Sequence, residues 1–221
     1  MHVNTIRLFE KYGQPYFRPG LRVLEVGPDH PSTLRRIVSD PSIQWESVDI
    51  FQHPELTYTA ANEYSFPVPD DTFDIVVATN VLEHVRKIWV WIKELSRVCK
   101  PGGHVITINP VSWPYHEIPI DCWRAYPEGM KALYEEGGLE VILSKWEAIA
   151  DAHVRNSVPG RSQSVVNSTE GWRTKALNRV LVGIGYPAER AYDTVTIGRK
   201  LSVGRSDVTQ SSETTSDERR E

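Results

Sequence analysis

Val23-Leu24-Glu25-Val26-Gly27, followed at once by Pro28-Asp29-His30-Pro31, is the stretch whose reading decides the fold. An apolar strand ends in a glycine, a tight turn follows, and Thr33-Leu34-Arg35-Arg36-Ile37-Val38 reads as helix. Strand, glycine turn and helix start, in that order, form the unit with which open α/β sheets hold nucleotide-like ligands. A pyrophosphate site needs further glycines so that the backbone can approach the phosphates. Here Asp29, His30 and two prolines stand in their place, which removes two backbone donors and adds a carboxylate. Such a loop suits a ligand with adenosine at one end and positive charge at the other better than a dinucleotide.

Outward from this turn, strand and helix patterns alternate. Segments 21–27, 44–50, 58–62, 73–79, 104–109, 139–149 and 193–198 read as strands. Helical patterns occupy 2–12, 32–39, 87–100, 127–136 and 172–182. In 87–100 the residues Ile88, Trp91, Ile92, Leu95 and Val98 share one face, and Lys100-Pro101-Gly102-Gly103 is expected to end the helix in a turn. The order predicts an α/β, Rossmann-like, seven-stranded and mostly parallel sheet with helices on both faces.

The 221 residues suffice for one sizeable core and are few for two. Residues 1–201 are expected to form one domain, with 150–192 as a substrate-side insertion or loop and 202–221 as a polar, disordered tail. A net charge of -4 with scattered Lys and Arg disfavours a nucleic-acid partner. No run approaches the length of a membrane span, and the N-terminus lacks a secretion signal, so a cytoplasmic location is expected. Two cysteines, Cys99 and Cys122, are too few for a disulfide framework or a Cys-based zinc site. A homodimer is left open.

Two acids carry chemistry on position alone. Asp49 ends the second strand, where a carboxylate can accept both ribose hydroxyls of an adenosine cofactor. Glu25 sits in the first strand beside the turn and needs a cationic or donor partner, either a ligand ammonium or a local salt bridge.

With these residues the chain resembles the class I S-adenosylmethionine-dependent methyltransferases of the type 11-like kind. The motifs are Val23 to Gly27, Asp49, Phe66-Pro67-Val68-Pro69-Asp70-Asp71-Thr72-Phe73-Asp74, Val81-Leu82-Glu83-His84-Val85, and Leu95 through His104, in the family's order over about 21–141. The resemblance implies S-adenosylmethionine as cofactor. Glu25 and Gly27, with Pro28, would line its methionine end, Asp49 and Ile50 its ribose side, Asn62-Glu63 the adenine amino group, and Asn80 the methionine part. Asn62 stands where the family usually has an acid, although its carbonyl can still accept from an amine.

Methyl transfer to a hydroxyl needs an aligned acceptor, a base and exclusion of water. His84 follows the cofactor strand, His53 lies near the second strand, and His116 lies in the loop 110–124 at the carboxyl edge of the sheet. His116 is the preferred base, with Asp121 as its orienter. Trp113, Tyr115, Trp123 and Arg124 read either as a substrate wall or as a packed loop in which Arg124 pairs with Asp121. The loop is similar to a subgroup associated with cell-surface glycan and polysaccharide biosynthesis, which implies O-methylation of a sugar or glycan hydroxyl. Some sugar methyltransferases use Mg²⁺; Asp121 and Glu117, with His84 or His153, would be its ligands here, although no metal-ligand spacing appears. The loop with His153, Arg155, Arg161 and Gln163 either closes over the acceptor or is an ordinary exposed loop. The alternatives are a quinone, lipid or natural-product small molecule as acceptor, a non-catalytic S-adenosylmethionine-binding protein, and a nicotinamide oxidoreductase.

Overall fold

The computed structural model describes residues 2–113, 115, 117, 119–150, 153–154, 172–185 and 188–202. In chain order the elements are α1 (Val3–Leu8), β1 (Arg22–Val26), α2 (Thr33–Val38), β2 (Gln44–Asp49), β3 (Tyr58–Thr59), β4 (Phe73–Thr79), α3 (Ile88–Val98), β5 (Cys99–Pro110), α4 (Pro127–Glu136), β6 (Leu139–Glu147), β7 (His153–Val154), α5 (Trp172–Gly183), β8 (Ala188–Glu189) and β9 (Asp193–Lys200). Seven strands form one sheet, as the alternating pattern predicts, and their order is β3-β2-β1-β4-β5-β9-β6; β7 pairs with β8. The pairs from β3 across to β5 are parallel, and β9 runs antiparallel between β5 and β6.

Successive side chains of a strand face opposite sides, so the continuous apolar runs of β1 and β4 feed two cores at once. Leu24, Val26, Val76 and Ala78 pack with Trp91, Ile92, Leu95 and Val98 of α3 and with Met130 and Tyr134 of α4. Val23, Ile75 and Val77 pack on the other face with Leu8, Phe9 and Leu34. The face of α3 expected from its spacing is the buried one, and each fully buried side chain such as Trp91 or Leu95 contributes about 2–3 kcal/mol. The tyrosine hydroxyl deep in this core is satisfied: Tyr134 Oη lies 2.9 Å from Thr107 Oγ1 and donates to Thr196 O at 3.1 Å.

Three boundaries differ from the sequence expectation. α3 ends at Val98 rather than running to Lys100; Cys99 is already extended and pairs with Phe73. Pro101 disfavours a helical residue before it, so the chain turns directly into β5. Gly103 makes this possible, since a Cβ there would stand 2.8 Å from Asp74 O at the register shift of β4. The leading helix is shorter than 2–12 and continues from α1 into a π turn over Phe9–Gly13 and a 3₁₀ turn over Gln14–Tyr16. The third strand is reduced to Tyr58–Thr59.

The N-terminal helix is joined to the far end of the chain by one asparagine. Asn4 donates to Asp193 Oδ2 (3.0 Å) and Glu147 O (3.1 Å), and accepts from the amides of Ile149 (2.7 Å) and Ala150 (3.1 Å). All four of its hydrogen-bonding positions are used, which fixes α1 over the carboxyl end of β5. The expected base His116, the loop residues Arg155, Arg161 and Gln163, and the tail from residue 203 lie outside the described residues.

Candidate active site

Strand order reverses between β1 and β4, and open sheets bind ligands in the crevice at such a switch point. Gly27 forms its floor. Its amide donates to Val48 O at 2.9 Å, its φ is +64°, and an added Cβ would lie 2.6 Å from Val81 Cγ2. Only glycine meets both the conformation and the approach. Beside it lies a pocket of about 320 Å³, within the range of small-molecule sites. Of the residues expected from sequence, Gly27, Asp49, Ile50, Glu63, Asn80 and His84 line it together. Sequence reasoning misses the apolar walls Phe51, Phe66, Val81, Val85 and Trp91, and Pro119 from the acceptor loop.

Three expected cofactor residues stand back from this lining. Glu25 faces the opposite core, where Oε2 accepts from Ser32 Oγ (2.6 Å) and Trp45 Nε1 (2.9 Å). Burial pushes its carboxyl up to about 7, and Oε1 has no hydrogen-bond partner among the described residues. Pro28 is buried outside the lining, and Asn62 Oδ1 accepts from the Tyr64 amide at 2.8 Å within a turn. The added acid of the loop acts locally, since Asp29 accepts from the amide (2.9 Å) and hydroxyl (2.6 Å) of Thr33 at the start of α2.

Asn80 leaves β4 with φ +56°, a left-handed conformation in which asparagine is one of the few tolerated side chains. Its amide donates to Ile108 O (2.8 Å), its Nδ2 lies 3.2 Å from His2 Nε2, and its buried Oδ1 has no partner among the described residues. In His84, Nδ1 lies 2.5 Å from Ile120 O. A carbonyl only accepts, so Nδ1 carries a hydrogen toward Ile120 O, and Nε2 lies 3.8 Å from Glu83 Oε1. Glu83 beside it is 1% exposed; burial raises its carboxyl to about 8, and Oε2 has no partner among the described residues.

The acceptor-loop residues divide. The Trp113 ring stacks on His2 at 4.5 Å. Trp123 is tied to the core side by an Nε1–H bond to Val85 O (2.9 Å), and Tyr115 is 70% exposed with its hydroxyl on Glu117. Both Asp121 oxygens accept from Arg124, which also reaches Trp123 O at 2.9 Å, so the pair braces the loop. Asp121 and Glu117 thus hold local partners, and Mg²⁺ finds no support in their arrangement.

Behind Asn80 the structure adds groups that the sequence does not single out. Asp193 accepts from Asn4 and Thr5, its other oxygen lies 3.4 Å from His2 Nε2, and burial raises it to about 7. Burial and the nearby N-terminal charge lower His2 to about 4, so at neutral pH the contact involves a neutral imidazole, not an ion pair. Asn109 and Thr194, opposite one another on β5 and β9, each keep a buried oxygen without a partner among the described residues. No local sequence signal marks His2 or Asp193; they meet only because α1 crosses the strand ends.

Residues 38–107 match the family described as a methyltransferase domain. The chain is 29% identical over 126 residues to demethylmenaquinone methyltransferase of Streptomyces griseus, covering 55% of this chain and 54% of that protein. The likewise named protein of Streptomyces avermitilis is 29% identical over 140 residues, 62% of this chain and 60% of that one. The chain thus spans about half the length of the curated relatives it matches. Among solved structures, a SAM-dependent methyltransferase from Archaeoglobus fulgidus superposes with a TM-score of 0.57 at 17% identity, covering 89% of this chain and 92% of that one. The cyclase SpnF does so with 0.56 at 18%, covering 89% and 80%.

The fold is the Rossmann-like α/β fold shared with these solved structures, and over residues 38–107 the chain is similar to the methyltransferase-domain family. The residues present fit S-adenosylmethionine, through the close approach that Gly27 allows, the Asp49 carboxylate in the lining and the Asn80 oxygen, which has no hydrogen-bond partner among the described residues. The family match ends at residue 107, before the loop 110–124 that carries the resemblance to the glycan-linked subgroup.

Proposed function

We propose that the chain transfers a methyl group from S-adenosylmethionine to a small ring compound of the quinol or phenol kind, with His84 as the base. The observation that carries this reading is His84 itself, on the pocket wall with Asn80 and with its tautomer held by Ile120 O. Asp49, Ile50 and Glu63 would hold the nucleoside, and Gly27 and Asn80 the methionine part. The cofactor supplies an electrophilic methyl group on a sulfonium. His84 Nε2 accepts the hydroxyl proton of the acceptor, which raises the electron density of the ring oxygen and the adjacent ring carbons. Phe66, Val85 and Trp91 keep water from the reacting atoms and offer apolar faces to a planar ring.

Two arguments favour a quinol over a sugar. The two Streptomyces relatives are named for a quinone substrate. A phenolic hydroxyl is also much more acidic than a sugar hydroxyl, so one imidazole is a sufficient base. O-methylation of a glycan rests on the loop motif 110–124 alone, and Trp123 and Tyr115 spend their polar atoms within the protein. The neighbouring cyclase is a reminder that this fold hosts other reactions, which makes the chemical test necessary.

That test incubates the purified chain with S-adenosylmethionine and a panel of reduced naphthoquinones, catechols and nucleotide sugars, with mass spectrometry of the products. Methylated quinol or phenol with release of S-adenosylhomocysteine is the expected result. Methylation of sugars only would overturn the acceptor, and no calorimetric binding of S-adenosylhomocysteine would overturn the cofactor.

A further inference from the structure

The loops that follow β1 and β2 form neighbouring walls of the pocket through Gly27 on one and Ile50 and Phe51 on the other. Just outside the lining these loops bring together His30, His53 and Glu55. One ligand atom from each lies within 4.8 Å of the other two. The imidazoles stack with centroids 3.6 Å apart and planes 15° from parallel, and His30 Nδ1 stands 3.7 Å from Glu55 Oε2. His53 Nδ1 accepts from the Glu55 amide at 3.2 Å, so its lone pair already points toward the Glu55 side.

We propose that His30, His53 and Glu55 form a transition-metal site of the zinc class that staples the β1 loop to the β2 loop at the rim of the cofactor pocket. Two imidazoles and one carboxylate suit Zn²⁺ or Co²⁺ and not Mg²⁺ or Ca²⁺, which take oxygen ligands. Zinc binds nitrogen and carboxylate oxygen at about 2.0–2.2 Å, so the ligand atoms need to close by little more than an ångström. These are side chains at the protein surface, half-buried at most, and rotation of their outer torsions supplies that movement and turns the stacked rings apart so that both in-plane lone pairs meet at the metal. At His53 the metal takes the lone pair that now receives the weak amide bond. Three protein ligands leave a fourth position for water.

Occupancy has a consequence for the pocket. His30 lies in the same loop as Gly27, and His53 two residues after Phe51, so a metal bridging the loops reduces the freedom of both walls. Ordering that is complete before the cofactor arrives need not be supplied by its binding, which gives positive coupling. The metal site stands on its ligands alone; the coupling rests on the proposed cofactor reading.

The experiment titrates tag-free, metal-stripped full chain with ZnCl₂ by calorimetry and with Co²⁺ by visible absorption, beside His30→Ala and His53→Ala. One equivalent of metal with a tetrahedral Co²⁺ spectrum is expected, weakened at least about tenfold in each variant. Absence of binding, or equal affinity in wild type and both variants, overturns the site. S-adenosylhomocysteine is then titrated with and without Zn²⁺, and a tightening of about fivefold in wild type only is expected. Zinc binding with unchanged S-adenosylhomocysteine affinity overturns the staple but leaves the cofactor reading intact. Zinc binding with no S-adenosylhomocysteine binding at all supports the site and overturns the proposed function.

Discussion

On the β1–β2 side of the crevice every polar group stands within a few residues of a strand end. On the β5–β9 side the buried polar groups come from both extremes of the chain, His2 and Asn4 at one and Asp193 and Thr194 at the other. The first side is built by local rules. A parallel strand must end, the chain must turn, and the first residues after the strand then face the ligand. The second is built by docking, because α1 covers strand ends that a helix elsewhere would leave open. The difference also shows in satisfaction: Asp29 and Asp49 have loop amides as partners and Glu25 alone in β1 keeps an oxygen without a hydrogen bond, while Asn80, Glu83, Asn109, Asp193 and Thr194 each keep one without a hydrogen bond among the described residues.

The largest effect is expected where the two sides meet. His84→Ala should lower turnover by about 10²–10⁴-fold with S-adenosylhomocysteine affinity unchanged, read by steady-state kinetics and calorimetry together. Turnover near the wild-type rate would move the base elsewhere, with His116 next in order. Asp49→Ala tests the local side. Loss of hydrogen bonds from two ribose hydroxyls to a carboxylate should weaken S-adenosylhomocysteine about 30-fold or more, and an unchanged affinity would take Asp49 out of the site.

The docked side also carries a pH dependence of stability. Glu83 is raised from 4.5 to about 8, so the folded state holds a proton that the unfolded chain has lost. Stability therefore falls as pH rises through that interval. His2, lowered from 6.5 to about 4, acts in the opposite sense and is spent once pH passes 6.5. Between pH 6.5 and 8 only the decline remains, and Glu83 alone accounts for about 2 kcal/mol of it. Glu83→Gln should flatten this part of the stability profile in chemical denaturation, and an equally steep profile would show that Glu83 ionises normally. The smallest effect is expected at Tyr115. Exposed, with its hydroxyl on Glu117 of the same loop, it should tolerate Tyr115→Phe without change in turnover or acceptor KM. A rise in KM would return it to the substrate wall.

Much of the local side is legible before folding. Gly27, Asp49, Ile50, Glu63 and Asn80 follow from their distance to strand ends and from family resemblance, and the pocket gathers all five. Glu25 belongs to the expected strand but faces away from the pocket. A period of two sends it toward Val23's core, where Ser32 and Trp45 bind it. The acceptor loop is harder still. A cluster of aromatic and charged residues in sequence does not say which of them turn inward, and Trp123, Tyr115 and the Asp121–Arg124 pair are struts of the loop or its surface. His30 stands 23 residues before the His53–Glu55 pair, so the three show no metal-ligand spacing in sequence, and two separate loops bring them together.

By itself the sequence determined the alternation of strand and helix, the glycine turn and the acid after the second strand, because each follows from backbone sterics and from which side chains must leave water. Tertiary structure alone decided that the face shared by Val23 and Glu25 lies away from the pocket, that His2 and Asn4 reach Asp193, and that His84 and not the aromatic cluster shares the pocket with Asn80. Those outcomes depend on how the chain's ends and loops pack over the strand ends. A buried polar group is fixed by the partner that docking brings to it, and no run of neighbouring residues encodes that partner.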